Sequence, residues 1–310
     1  MAKIDPRFAK FVLKKSNAAI KEAIKQEKRK QKQERAAFFE QKKKEAAQQK
    51  AKAAVIERPA IKEKMPLNKY IAHGGICSRR DAAQLIKDGL VKVNGKVITE
   101  PGYKVQDGDV VIANGKKVVP SKTLVYILLN KPKDYITTTE DPKKRKTVLD
   151  LIKGVTTERV YPVGRLDRNT SGVLLITNDG ELAQQLTHPS SEVKKVYAVT
   201  LDKPLAKADF DKILKGVILE DGPAYVDVLA YSDLKDKTQI GIEIHSGRNR
   251  IVRRIFESLG YKVKNLDRVM FAGLTKKNVP RGKFRFLTER EVRNLKYLGK
   301  KNKNKPATDK

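Results

Sequence analysis

The chain has 310 residues, with 68 Lys and Arg against 36 Asp and Glu and a formal net charge of +32. This length predicts two ordinary domains with tails rather than one compact domain, and the positive field favours a polyanionic partner, nucleic acid before an anionic membrane surface. The single cysteine, Cys77, excludes an internal disulfide, and three scattered histidines show no zinc-ligand spacing, so we expect no metal.

No segment approaches the roughly 20 apolar residues that a spanning helix needs, and no signal-peptide core follows Met1. We therefore expect a cytoplasmic protein that does not enter a membrane.

The two ends of the chain are basic and poor in apolar residues. Residues 1–64 carry 20 Lys and Arg against 8 Asp and Glu, a composition that cannot build a core. We predict a disordered or transiently helical basic arm over 1–64 and a basic flexible tail over 296–310. A solvated charge run without a specific role explains the arm equally well.

A compact helix-helix-hairpin module is predicted over residues 65–120. Leu67 and Ile71 fall at helical spacing, and Ser78 with Asp81 three residues later is typical of a capped second helix that ends at Gly89. Val91 and Val97 flank Asn94-Gly95, a strong hairpin signal, and a further strand is expected over 110–113.

The string "MPLNKYIAHGGICSRRDAAQLIKDGLVKVNGKVI", followed by "VQDGDVV", resembles the RNA-binding domain first described in the fourth protein of the small ribosomal subunit, the S4-type domain. The resemblance implies that Arg79, Arg80, Lys92 and Lys96 lie near RNA phosphates. Two arginines in the first turn of a helix are poorly placed for the helix dipole, which favours an external anion. For each of the four, an ordinary solvated charge is an equally good explanation.

Residues 121–295 are predicted to form an α+β domain with a substantial sheet. Strand-like apolar runs cover 125–129, 173–176, 196–201, 225–229 and 240–244, and helices are expected over 181–186, 207–214 and 250–259. The strand order cannot be derived from this pattern.

A polar loop feeds directly into one of these buried strands, in "VYPVGRLDRNTSGVLLITNDGEL". Loops at a strand mouth often carry binding or catalytic side chains. Taken alone, however, Asp167 beside Thr170 and Ser171 is more typical of a turn-capping residue.

The string "GRLDRNTSGVLLITNDGEL", with "LNKP" before it and "LTHP", "KKVYAV" and "GRNRIVRRIFESLG" after it, closely resembles the RsuA/RluB family of ribosomal RNA pseudouridine synthases. The resemblance runs from about Met65 to about Glu291. It implies a catalytic domain built on a mixed, mainly antiparallel sheet with flanking helices. The reaction breaks a uridine's N1 glycosidic bond and rejoins the base through C5, so no cofactor is expected.

The same resemblance assigns roles to single residues. It makes Asp167 the nucleophile, as carboxylates are in glycosidases, Tyr197 the ring that holds a flipped uracil, and Arg253 the cation that pairs with Asp167. Without the family, Tyr197 is better explained as strand packing. Arg250 and Arg254 are candidates for contact with backbone phosphates, and Arg165, Thr170 and Ser171 are expected to orient the loop and the RNA backbone. His188 is expected only to shape the end of a helix.

Three hypotheses follow from these residues. The first is an rRNA pseudouridine synthase, monomeric, that acts on rRNA or a pre-ribosomal particle, nearer the large-subunit (23S) branch than the small-subunit (16S) one. The second is a catalytically inactive RNA-binding ribosome-assembly factor, against which the intact Asp167, Tyr197 and Arg253 count. The third, a structural ribosomal protein, explains the charge but not the motif for a nucleophile.

Overall fold

The computed structural model describes residues 56–57, 64–121, 123–233 and 235–303, with side chains described for 64–121, 123–233 and 235–298. Most of the predicted basic arm, 1–64, and the last seven residues of the predicted tail lie outside the described residues. Among the described residues, no helix combines the length and the apolar character needed to cross a membrane.

The N-terminal module contains two helices and two small sheets. Ser78 caps the second helix, since its hydroxyl accepts from the Asp81 amide while the Asp81 carboxylate accepts from Ser78. Asn94 and Gly95 both have positive φ, 50° and 81°, as a tight hairpin turn requires. The elements are β2 (Met65–Pro66), α1 (Leu67–His73), α2 (Arg79–Lys87), β3 (Val91–Val93), β4 (Lys96–Val97), β5 (Lys104–Val105), β6 (Val111–Ala113) and β7 (Lys116–Lys117).

These elements enclose their own apolar core. The four-stranded sheet has the order β4-β3-β6-β7, and β2 pairs with β5. Leu67, Ile71, Ala82 and Ile86 from the helices pack with strand residues such as Val91. The helix-helix-hairpin module is therefore confirmed.

The larger domain is built on one mixed sheet. Its elements are β8 (Thr123–Leu124), β9 (Tyr126–Lys131), β10 (Tyr161–Pro162), β11 (Ser171–Thr177), α3 (Gly180–Thr187), β12 (Lys195–Leu201), α4 (Lys207–Lys215), β13 (Val217–Leu219), β14 (Gly222–Ala224), β15 (Val228–Tyr231), β16 (Gln239–Ile244), α5 (Ile251–Glu257), β17 (Val263–Phe271), β18 (Leu274–Thr275), β19 (Phe284–Phe286) and α6 (Glu289–Lys303). Outside this sheet, β1 (Ile56–Glu57) pairs with β8, and β13 with β14.

The sheet runs in the order β15-β16-β12-β17-β11-β9-β19, with β10 on β11 and β18 on β17. The β11–β17 pair is parallel, and the other pairs of this sheet are antiparallel. Strand β11 is buried along its whole length because its alternate residues enter two apolar clusters, Leu174 and Ile176 on one face and Val173 and Leu175 on the other. This explains why it reads as a continuous apolar run.

The structure differs from the sequence predictions in three places. The nine-residue strand β17 was not predicted, because Asn265, Asp267 and Arg268 interrupt its apolar pattern. The strand expected over 225–229 begins only at Val228. The segment assigned to a flexible tail is helical up to Lys303, since α6 packs Val292 and Leu295 into the domain core before it enters the basic stretch.

Candidate active site

The Asp167 loop joins β10 to β11 and presents its carboxylate at the end of the sheet where β11 begins. Its neighbour Leu166 is buried in the core, and the threonine hydroxyl of Thr137 donates to the Leu166 carbonyl at 2.7 Å. The amide of Thr170 donates to the Asp167 carbonyl at 3.0 Å and closes the turn. The Asp167 side chain is 39% exposed, so its carboxylate is accessible to solvent while its backbone is fixed.

Lys131, from the "LNKP" segment, holds this loop from below. It is fully buried, and its ammonium donates to the carbonyls of Thr170 at 2.8 Å, Asp167 at 3.0 Å, Pro132 at 3.1 Å and Arg168 at 3.3 Å. Burial lowers the pKa of Lys131 to about 8, whereas the negative charge of Asp167 acts to raise it. Because the buried ammonium donates to several carbonyl oxygens, it fixes the positions of these parts of the loop relative to one another.

Two arginines of the "GRNRIVRR" segment stand next to Asp167. A guanidinium nitrogen of Arg250 lies 4.0 Å from Oδ2 of Asp167. Arg253 is buried, and it donates to the carbonyls of Val263 at 2.9 Å and Asn169 at 3.2 Å. The ion pair to Asp167 is therefore made by Arg250, not by Arg253 as the family resemblance implies.

The charges of Arg253 and Asp167 nevertheless interact. Burial and then the charge of Arg250 lower the pKa of Arg253, whereas the Asp167 carboxylate raises it. Its Nε is buried without a hydrogen-bond partner among the described residues. Arg253 is thus a buried cation that contacts the backbone of the Asp167 loop through the Asn169 carbonyl.

Tyr197 lies two strands away from the start of β11, at the same level of the sheet. In the sheet, Gly172 lies opposite Arg268 on β17, and Arg268 lies opposite Tyr197 on β12. The tyrosine is 9% exposed and belongs to the same apolar cluster as Leu166, the neighbour of Asp167. The fold therefore brings Asp167, Tyr197 and Arg253 to one end of the sheet.

Thr170 and Ser171 do not face solvent, where an RNA backbone would lie. Both are buried; the Ser171 hydroxyl donates to the Asp267 carboxylate at 3.0 Å, and the Thr170 hydroxyl has no partner among the described residues. Hydrogen bonds from Arg281 and Lys276 hold the pKa of Asp267 below its usual range, although burial acts to raise it. The burial of these two hydroxyls agrees with the expected role in orienting the loop and leaves them no direct contact with an RNA backbone.

Arg254 is not a free cation in this structure. Its guanidinium contacts the carboxylate of Asp221 at 2.6 and 2.9 Å, at the tip of the β13–β14 hairpin. Arg248 joins the same tip, 2.9 Å from the Asp221 carbonyl and 2.8 Å from the Pro223 carbonyl. An RNA phosphate would have to compete with Asp221 for Arg254.

The remaining predicted contact residues lie on the surface. Arg165 in the Asp167 loop is exposed, and so are four residues of the N-terminal module, which form no ion pair within the described part of the chain: Arg79, Arg80, Lys92 and Lys96. His188 accepts from the Ser190 amide at the end of α3, in keeping with a purely structural role.

Two functional contacts were missed from the sequence. Lys131 was part of a quoted motif but received no role, although a lysine inside an otherwise apolar strand is itself a signal of a buried cation. The proximity of Arg250 to Asp167 depends on the positive φ of Arg250, 49°, which turns its side chain at the start of α5; no local pattern signals this.

The chain is similar to known proteins over both domains. Residues 65–111 match the S4 domain model and residues 125–258 the model of RNA pseudouridylate synthases. "Ribosomal large subunit pseudouridine synthase B" of Bacillus subtilis is 44% identical, covering 77% of this chain and 98% of that protein. An "Uncharacterized RNA pseudouridine synthase" of Aquifex aeolicus is 40% identical, covering 77% and 99%.

A solved structure has a similar fold. The chain described as "Crystal structure of pseudouridylate synthase" superposes with a TM-score of 0.53 and 26% identity, covering 74% of this chain and 99% of that chain.

Proposed function

Because the chain belongs to the family of RNA pseudouridine synthases that carry an S4 domain, we propose that it isomerises a specific uridine of 23S rRNA, with Asp167 as nucleophile. The name of the Bacillus subtilis relative supports the large-subunit target. Ribosomal RNA or a pre-ribosomal particle is the substrate, the cytoplasm is the site of action and the working unit is a monomer.

The reaction breaks the C1′–N1 bond of the uridine, turns the uracil and forms a C1′–C5 bond. The proton on C5 is lost to solvent and N1 gains one, so nothing is oxidised and no co-reactant is consumed. A carboxylate can attack the sugar or base, or stabilise an oxocarbenium-like centre. Asp167 offers that carboxylate.

The observation that carries the proposal is the way the loop is fixed. Lys131 holds the Asp167 backbone from below, while Arg250 lies 4.0 Å from the carboxylate and Arg253 holds the Asn169 carbonyl. A preorganised catalytic site requires a reactive side chain whose backbone is held in place by several contacts. The 39% exposure of Asp167 leaves the exclusion of water to the bound RNA.

We assign Arg253 to the pairing with Asp167 in the RNA complex. Catalytic hydrogen bonds are often long in the free enzyme and tighten when substrate binds, and the unpartnered Nε of Arg253 is a donor available for that step. Arg250 and Arg165 contact the RNA backbone, and Tyr197 holds the flipped uracil against its ring.

The test is tritium release from a C5-tritiated ribosomal transcript. Wild-type protein should release tritium, and Asp167→Asn should abolish release while RNA binding is preserved, since the amide keeps the shape of the side chain but not its charge. Full turnover by Asp167→Asn would show that the nucleophile is misassigned.

The other candidate functions differ in what a deletion strain would show. Mapping pseudouridine in both rRNAs identifies the target: a loss confined to 16S rRNA would favour the small-subunit alternative. If Asp167→Asn rescued growth and assembly defects as well as the wild type, the inactive assembly factor would be favoured.

A further inference from the structure

A cavity of about 540 Å³ lies between the N-terminal module and the synthase domain. Its lining includes Lys69, His73 and Arg79 from the module and Arg159, Tyr161 and Gln184 from the larger domain. Asp167 precedes the first residue of β11, whereas Asn178 in the cavity wall follows the last. The strand between them is roughly 20 Å long, so the cavity is separate from the proposed catalytic site.

Contacts between the two domains fix the walls of this cavity. Lys69 of α1 forms an ion pair with Glu181 of α3 at 2.8 Å, and the Ser121 amide donates to the His73 carbonyl at 3.1 Å. A Cβ on Gly180 would lie 3.0 Å from the Tyr161 hydroxyl, so only glycine permits this approach without adjustment. The cavity is therefore preformed, as ligand pockets of 300–1,000 Å³ usually are.

The two walls each present an arginine without an ion pair in the described part of the chain. Arg79 stands in the first turn of α2, where the helix dipole disfavours a cation. Arg159 precedes β10 in the other domain. The carboxylates in the lining are Glu181, already paired with Lys69, and Glu158. Asp81, next to the lining, interacts electrostatically with Arg159, so what the cavity offers an external anion is two guanidinium groups without an ion pair rather than a large excess of charge.

We propose that this cavity binds the sugar-phosphate backbone of the substrate RNA at a segment remote from the target uridine, with Arg79 and Arg159 contacting phosphate from opposite walls. The proposal rests on the proposed function in one respect, that the substrate is RNA. Guanidinium groups suit phosphate oxygens because they donate two parallel hydrogen bonds. RNA bound at both ends of β11 would fix the distance between the segment held in the cavity and the uridine at the catalytic loop.

The test is RNA affinity in an Asp167→Asn background, in which we expect no turnover. Filter binding of a labelled 23S rRNA transcript is measured across a range of salt concentrations. Arg79→Ala and Arg159→Ala should each weaken binding about tenfold and reduce the slope of log K against log salt by ~0.7–0.9, because each removes one phosphate contact. Arg159→Lys, which keeps the charge, should lose less.

The matched control is Lys235→Ala, which removes one exposed positive charge on the loop before β16; it should weaken binding less than twofold. The proposal is overturned if Arg159→Ala and Lys235→Ala have equal effects. It is equally overturned if poly-glutamate protects the cavity arginines from chemical modification while the transcript does not. Circular dichroism melting verifies that every variant is folded.

Turnover separates this proposal from the proposed function. With Asp167 intact, Arg159→Ala should raise KM for tritium release more than it lowers kcat. If wild-type protein released no tritium from any rRNA but the arginine variants still lost affinity, the enzymatic proposal would fail and the cavity proposal would stand. If the wild-type protein released tritium but the arginine variants bound RNA with unchanged affinity, the enzymatic proposal would stand and the cavity proposal would fail.

Discussion

A Cβ atom on Gly172 would lie 2.1 Å from the carbonyl oxygen of Arg268, the residue opposite it in the parallel β11–β17 pair. Gly172 also has a φ of 114°, a conformation that L side chains rarely adopt. The strand that carries the Asp167 loop can therefore join β17 only through a glycine at this position.

Gly172→Ala should destabilise the protein by about 3 kcal/mol, since backbone strain and overpacking cost about 1–3 kcal/mol each. Urea unfolding measures this. Gly247→Ala is the control, because a Cβ there meets nothing within 4 Å, and it should change stability by less than about 0.5 kcal/mol. Equal stabilities of the two variants would contradict the close approach.

Lys131→Met should reduce single-turnover tritium release about 100-fold, because the loop loses the donor that fixes the Asp167 carbonyl and small misplacements cost this much. The stability change should stay within about 2 kcal/mol, since relief from burying a cation offsets the carbonyls left without a donor. Lys133→Met, the same change at an exposed neighbour, should retain activity. Equal turnover of both variants would remove the loop-fixing role.

The pKa of Lys131 also makes stability depend on pH. Burial lowers this pKa from 10.5 to about 8, so between these values the unfolded chain binds a proton that the native state has released. Stability then rises with pH across this window. At 1.36 kcal/mol per pKa unit, the gain relative to Lys131→Met is at most about 3 kcal/mol. Urea unfolding of both proteins from pH 7 to pH 10 measures it, and parallel curves would refute it.

Arg250→Met and Arg253→Met should have different effects on stability, because Arg253 is buried and Arg250 is partly exposed. Arg253 is buried on two backbone carbonyls, so its loss should cost about 3 kcal/mol of stability as well as turnover. Arg250 is 45% exposed, so its loss should cost less than about 1 kcal/mol but reduce kcat/KM. Urea unfolding measures the change in stability and tritium release measures the change in kcat/KM. Full kcat/KM in Arg250→Met would show that Arg250 uses neither its contact with Asp167 nor a contact with the RNA backbone.

Asp221→Asn should tighten RNA binding three- to tenfold at low salt, because it releases Arg254 for phosphate. Filter binding tests this, together with a steeper salt dependence. Asp211→Asn, which breaks an exposed ion pair with Lys207 instead, serves as the control. Identical affinities of the two variants would mean that Arg254 does not meet RNA.

Removal of residues 1–52 should weaken RNA affinity and flatten its salt dependence, because the basic arm displaces counterions. The deletion stops before β1, since Ile56 and Glu57 pair with β8. An unchanged salt slope would show that the arm does not contact RNA under those conditions, and thermal unfolding would verify that the remainder folds.

Local signals predicted the module well. The Ser78–Asp81 capping box, the Asn94-Gly95 turn and the apolar run of β11 each depend on neighbours in sequence. Strand β17 could not be predicted in this way: Asp267 and Arg268 are accommodated in its interior by contacts with Ser171 and Val173, about 95 residues away, and Asp267 also by hydrogen bonds from Lys276 and Arg281. The Asp167 motif located the site, whereas its supports, Lys131 below and Arg250 beside it, come from distant segments.

The parallel β11–β17 pair has a consequence for synthesis of the protein. Ser171 meets Asp267 only after nearly a hundred further residues have been made, and β9 gains its outer neighbour β19 later still, at Phe284. Pairing over such separations is slow because long loops must close first. A nascent chain can complete its N-terminal module early, but the pocket around Asp167 has to wait until β17 and β19 have been made.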